Sequence, residues 1–321
     1  MAFYLLKPLK PFSFRWTGEF SPSTSGPMNK GISEPLPLPS TIAGFLYSIN
    51  KKWGSSKNLE NLKIDEDLKT LASGIWGPLL YDGMNYYAHK YPGGLIQLKM
   101  NNSLYIDKPQ VNLEKNDVGE KLEALSEKGV INVINRIGIG LMYNSKTVKE
   151  GLLYSQSLIK LKNGGIIFKA NSDVNEGFYT MGGEGSIIEL KKCKECEEII
   201  SGKGDYGLVI SPIILKPREN VTSIIDDFYE LNVEGCGKLS DLRVNIPVNA
   251  NNKEKSLKKY FRPQIKLGLI SLGFNITYNV IRPIYLAIMP GSIINCKEMG
   301  NVGLFKEVGW GSILPIKINI T

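Results

Sequence analysis

The sequence predicts an α+β fold built mainly from strands, on three observations. Short apolar or alternating runs punctuated by glycine recur along the chain. Only a few stretches carry helical spacing. After a charged segment near residue 200 the mixture of strands and few helices begins again. A boundary near residue 204 therefore divides the 321 residues into two α+β units, 1–204 and 205–321. No sequence repeat is strong enough to show duplication.

The elements follow in order. Residues 3–7 form a first strand, and "PFSFRWTGEF" then mixes aromatic residues with Arg15. Pro22, Pro27, Pro35, Pro37 and Pro39 lie in the next segment, where missing N–H groups forbid regular structure. Ser40 or Thr41 can cap a helix in which Ile42, Phe45, Leu46, Ile49 and Trp53 share one face. Lys51 and Lys52 complement its last turn and Gly54 can end it. From Trp76 to Tyr105, glycines, tyrosines and alternating apolar residues read as strands and turns. Asn116–Gly129 carries a second helical pattern. Asn135–Leu161 reads as two strands around the polar tip "NSKTVKEG", which buries little and so is expected to project. "GGIIFKANSD" adds a strand, and "FYTMGGEGSIIEL" carries the first glycine cluster. Beyond "KKCKECEEIISGKGDYG" come the strand "LVISPIIL", the helical "TSIIDDFYEL", a basic stretch ending "FRPQIKLG", and the strands "IRPIYLAIM" and "GSIINC". The chain closes on "NVGLFKEVGWGSILPI".

A hydrophobic content of 42% is that of a chain able to bury a core, and a formal net charge of +8 favours an anionic partner such as nucleic acid. No apolar run approaches the roughly 18 residues of a membrane-spanning helix, and the stretch before Lys7 and Pro8 is too short for a signal peptide. A cytoplasmic protein without membrane contact is expected. Four cysteines are too few for a disulfide framework, so free thiols in a reducing compartment are the expectation. Cys193-x-x-Cys196 has zinc-knuckle spacing, but Cys236 and Cys296 stand alone, and no metal or other cofactor is expected.

The single histidine limits catalysis more than any other count, because acid–base chemistry on imidazole would rest wholly on His89. Set among Tyr86, Tyr87 and Tyr91, it can equally stack on a base or be a partly exposed polar residue. Asp65 and Asp67, and Asp226 and Asp227, read as solvated faces. Gly182, Gly183 and Gly185 lack the ending of a phosphate-binding Walker loop. They allow either a hairpin turn or close approach of backbone to a phosphate. Gly303, Gly309 and Gly311 pose the same choice between a tight corner and an amide-lined cradle. Arg15, Lys51, Lys52, Arg136, Lys146, Lys149, Lys255, Lys258, Lys259, Arg262 and Lys266 interleave with Trp16, Trp53, Tyr143, Tyr260 and Phe261. That mixture suits RNA, with cations on phosphates and rings on bases.

The blocks "LKPFSFRWTGEF … LPLPSTIAGFLYS", "RIGIGLMYNSKTVKEGLLYSQSLIKL", "MGGEGSI", "MPGSII" and "GLFKEVGWG" stand in the order of a known family. Over essentially its whole length the chain resembles the third subunit of the Cmr (type III-B CRISPR) effector complex, a family of the RAMP superfamily. The resemblance implies two ferredoxin-like (RRM-like) domains with glycine-rich loops, and a projecting β-hairpin, or thumb, over Arg136–Ser157. It implies a non-catalytic subunit that binds the 5′ handle of crRNA, with no catalytic residue and no metal ligand. Its implied partners are that crRNA, the large polymerase-like subunit, the backbone subunit and, indirectly, target RNA. The implied contacts are Arg15, Lys51, Lys52, Arg136, Lys146, Gly182, Gly183, Gly185, Gly303, Gly309 and Gly311. The alternatives are a metal-independent crRNA-processing endoribonuclease using His89, the equivalent subunit of a type III-A complex, and a scaffold that touches only protein.

Overall fold

The computed structural model describes residues 2–16, 30–31, 33–50, 73–100, 104–107, 129–142, 145, 147–182, 185–197, 204–215, 232–244, 265–272, 274–275, 280–281 and 284–319. The expected helix over Asn116–Gly129, apart from its last residue, and the helical "TSIIDDFYEL" lie outside them. So do the two aspartate pairs and the basic stretch up to Gln264.

The apolar runs become strands: β1 (Ala2–Pro8), β2 (Trp76–Tyr81), β3 (Tyr86–Lys90), β4 (Gly94–Met100), β5 (Leu104–Asp107), β6 (Ile131–Leu141), β7 (Val148–Leu161), β8 (Gly165–Ala170), β9 (Gly177–Met181), β10 (Ser186–Lys192), β11 (Tyr206–Val209), β12 (Leu267–Ser271), β13 (Ile284–Ile288) and β14 (Ser312–Asn319). One sheet runs β9-β10-β1-β8-β2-β3-β4-β5-β14-β11 and ends on the short strand Ile293–Ile294. Its described pairings are antiparallel except β5 with β14, which run parallel with Lys317 facing Tyr105. That parallel pair joins the first half of the chain to the second by backbone hydrogen bonds. β6 and β7 form a separate antiparallel hairpin from Ile131 opposite Leu161 to Leu141 opposite Val148.

Helix α1 spans Pro39–Asn50 and buries Ile42, Ala43, Phe45 and Leu46. Full burial of an aliphatic side chain such as Ile42 or Leu46 stabilises by about 2 kcal/mol. The helix begins before the expected caps Ser40 and Thr41. Pro39 opens it, because a fixed φ and a missing N–H suit the first helical position. Leu38 supplies the first acceptor, its carbonyl taking the Thr41 N–H at 2.9 Å.

The two faces of the sheet bury different cores. Tyr4, Leu6, Ile166 and Phe168 pack with α1, whereas Phe3, Leu79 and Ile167 pack with Leu208, Ile210, Leu314 and Ile316. Alternation along β1 and β8 produces this division, since successive side chains leave opposite faces. The second cluster draws on both halves of the chain, so they share apolar surface as well as a ladder.

The expectation of free thiols does not hold. Cys193 and Cys196 are joined with Cα atoms 5.4 Å apart, Cys236 and Cys296 with Cα atoms 5.9 Å apart, and no cysteine is free. Both separations lie in the ordinary disulfide range. The second pair is separated by 60 residues and meets only because the fold brings a turn at Cys236 beside the loop at Cys296. No helix among the described residues is long and apolar enough to cross a membrane.

Candidate nucleic-acid interface

The base of the β6–β7 hairpin is tied to the N-terminal segment by a chain of hydrogen bonds. Phe12 exchanges both backbone bonds with Ile159, at 2.9 and 2.8 Å. The Phe14 N–H donates to the Ser33 hydroxyl at 2.9 Å, and the Ser33 N–H donates to the Ser157 hydroxyl at 3.0 Å. Lys30–Gly31 adds a parallel strand beside Ser155 and Gln156. Ser33 and Ser157 are buried, so each hydroxyl satisfies a backbone amide that would otherwise be orphaned.

This arrangement ties together the segments that carry two of the expected cations. Arg15 is exposed between buried Phe14 and Trp16, the alternation of an extended segment. Arg136 is exposed on β6, directly opposite Gln156. Beyond it the hairpin presents apolar side chains to solvent: Ile137, Ile139 and Met142 are all exposed. The β9–β10 turn lies against the same segment. Among the described residues, a Cβ added at Gly182 would meet only the Phe14 ring, at 4.0 Å, and one at Gly185 would meet nothing within 4 Å. The Ser186 hydroxyl donates to the Pro11 carbonyl at 3.1 Å and anchors the turn there. Both glycines adopt left-handed φ, 81° and 59°, and the Gly185 N–H closes the turn on the Gly182 carbonyl. A hairpin turn and an approachable backbone thus coexist at one place.

The closing glycines are different. Gly303, Gly309 and Gly311 are buried, and their N–H groups donate to the carbonyls of Glu234, Lys306 and Pro212. A Cβ at Gly303 would come within 2.7 Å of the Ile214 carbonyl, and one at Gly311 would collide with the Val302 carbonyl. Here the cradle gives way to the corner, because none of these three glycine amides remains to meet a phosphate. Trp310, between two of these glycines, is 2% exposed and packs with Trp16, Leu38, Ile214 and Met289 from both halves.

His89 is a further correction. Rather than partly exposed, it has no solvent contact at all. Its Nε2 lies 2.8 Å from Glu34 Oε2, which also accepts the Gly93 N–H at 2.8 Å. The Trp16 ring stands edge-on at 4.2 Å, and its indole N–H donates to the Leu36 carbonyl at 2.7 Å. Strand β3 is buried on both sides, and that is why a histidine within it is enclosed. The imidazole locks the loop behind Arg15 and reaches no part of the protein surface.

Lys51, Lys52, Lys146 and Gly183 lie outside the described residues, as do the rings of Trp53, Tyr143, Tyr260 and Phe261. Sequence reasoning missed Ser33, Glu34 and Ser157. Nothing marks them in the sequence, since each acts through a partner distant along the chain.

No family model matches the chain. Along 345 aligned positions, covering 97% of this chain and 95% of the relative, it is 29% identical to the "CRISPR system CMR subunit Cmr3" of Saccharolobus solfataricus. Its fold is similar to a chain in the cryo-EM structure of the type III-B Cmr-beta bound to cognate target RNA, with a TM-score of 0.55, 24% identity, and 98% of this chain and 96% of that one covered. A chain of the same assembly with target RNA and AMPPnP gives a TM-score of 0.53 at 24% identity over 91% of this chain and 85% of the other. The chain is thus similar from end to end to a Cmr3 subunit and shares its fold with chains of type III-B Cmr assemblies.

Proposed function

We propose that the protein is a non-catalytic, RNA-binding subunit of a type III-B CRISPR effector that holds the 5′ handle of crRNA and joins the large polymerase-like subunit to the backbone. The observation that carries this reading is the hairpin base, where one hydrogen-bonded frame ties the segments bearing exposed Arg15 and Arg136 to the exposed glycines Gly182 and Gly185. Two guanidinium groups can pair with phosphate oxygens, and glycine lets a nucleotide backbone approach the chain closely. The exposed Ile137, Ile139 and Met142 give the hairpin, as a thumb, an apolar surface to set against bases or a neighbouring subunit. Residues 1–204 and 205–321 act in this reading as two ferredoxin-like units packed through Trp310. Lys51, Lys52, Lys146 and Gly183 complete the proposed RNA-binding set.

The test is binding of handle RNA to Arg15→Ala and Arg136→Ala chains over a range of salt. Removing one guanidinium from a phosphate should flatten the slope of log K against log salt by about 0.7. Binding unchanged at every salt concentration would sink the assignment. Burial of His89 argues against the nuclease alternative. Incubation with repeat RNA should give no cleavage that depends on His89, whereas His89→Ala should lower stability by about 2–4 kcal/mol by opening a cavity and stripping Glu34 of a buried donor.

A further inference from the structure

The edge of the large sheet carries a second surface that the hairpin base does not use. Register places Phe178 on β9 opposite Glu189 on β10, and Glu189 opposite Lys7 on β1, so these three share one face. The next row holds Thr180 opposite Ile187, with Leu9 joined to Ile187 through its N–H at 3.0 Å. On the other side lie Lys191 opposite Leu5, and then Lys169 opposite Phe3. In the middle of the sheet this face is covered by the second half of the chain, but at the edge it is open. Phe178 is 68% exposed, Leu9 48% and Ile187 37%, three apolar side chains contiguous on adjacent strands. Scattered exposed apolar residues need no explanation, but a contiguous group marks a binding surface.

The charges choose the occupant. Lys7, Lys169 and Lys191 stand on this face against Glu189, whose carboxylate is already paired with the Lys191 ammonium at 2.8 Å. The face is therefore net cationic around one open aromatic ring, with Lys7 two strands away, about 10 Å at the usual strand spacing. We propose that this edge, β9–β10–β1, is a stacking platform for single-stranded RNA, in which a base lies on Phe178 and a neighbouring phosphate meets Lys7. A side chain on an open sheet face stands out from the sheet, and stacking of bases on an aromatic ring is tolerant of sequence. The platform goes beyond handle recognition at the hairpin base and does not depend on it.

The test uses the full chain with a fluorescently labelled 15-nucleotide oligouridylate followed by anisotropy. Phe178→Ala should weaken binding by roughly 5- to 100-fold, and Phe178→Tyr, which keeps the ring, should restore it. Lys7→Ala should lower the salt slope by about 0.7. Phe178→Ala binding like the parent, with an unchanged circular dichroism spectrum, overturns the platform, as does failure of the parent chain to bind the oligomer. Loss of association with other subunits at unchanged RNA affinity also overturns it and marks the face as a protein contact. The two sites are separable, because Arg15→Ala, Arg136→Ala chains should retain the Phe178-dependent part of oligouridylate binding. Phe178→Ala should retain preference for the handle.

Discussion

The two glycine clusters make opposite use of the same residue. At Gly182 and Gly185 the left-handed backbone turns an exposed hairpin, and the absent side chains leave space that none of the described residues fills. At Gly303, Gly309 and Gly311 the backbone is equally left-handed, yet carbonyls and side chains of other segments crowd the place of each missing Cβ. The first cluster keeps its backbone approachable from outside. The second has no exterior left and serves to bring Trp310 into a core built from both halves. Glycine therefore marks where a backbone must bend or come close, and the surrounding strands decide what comes close to it.

Substitutions can break this contrast. The largest effect is expected from Gly311→Ala, whose new methyl meets the backbone of Val302, which cannot swing aside. Left-handed strain and overpacking together should cost about 3–5 kcal/mol in urea unfolding. Gly309→Ala should cost less, about 2–3 kcal/mol, because its nearest neighbour is a side-chain methyl of Ile75 at 2.7 Å and not a backbone carbonyl. Gly185→Ala should cost only the backbone strain, about 1–2 kcal/mol, in a chain that still folds. Equal losses at Gly185 and Gly311 would abolish the distinction. Smallest of all, Arg15→Ala should leave stability within about 0.5 kcal/mol while weakening RNA binding, as an exposed surface change should. A large loss of stability there would make Arg15 a structural residue.

Much of the strand pattern was legible. Runs such as "GGIIFKA" and "FYTM…SIIEL" combine β-branched residues with glycine turns, and they became β8, β9 and β10. The hairpin of β6 and β7 was visible because its two arms flank a polar tip. Less legible was the start of α1, where Pro39 could be read as a breaker or as the first helical residue. The site was harder. Arg15 and Arg136 are 121 positions apart in the sequence, and it is the Phe12–Ile159 and Ser33–Ser157 bonds that bring their segments together. His89 looked like a chemical group because it is unique, and uniqueness says nothing about burial.

By itself the sequence determined the local choices: which runs extend, where glycine permits a left-handed turn, and that the chain carries a cationic excess. Those follow from sterics and side-chain chemistry within a few residues. Only the tertiary structure decided that β14 from the second half would pair with β5 of the first, that four cysteines would join in two pairs, and that His89 would face Glu34 and not solvent. Each of these depends on contacts between residues distant in the chain. Their energy appears only once apolar burial has brought the strands together.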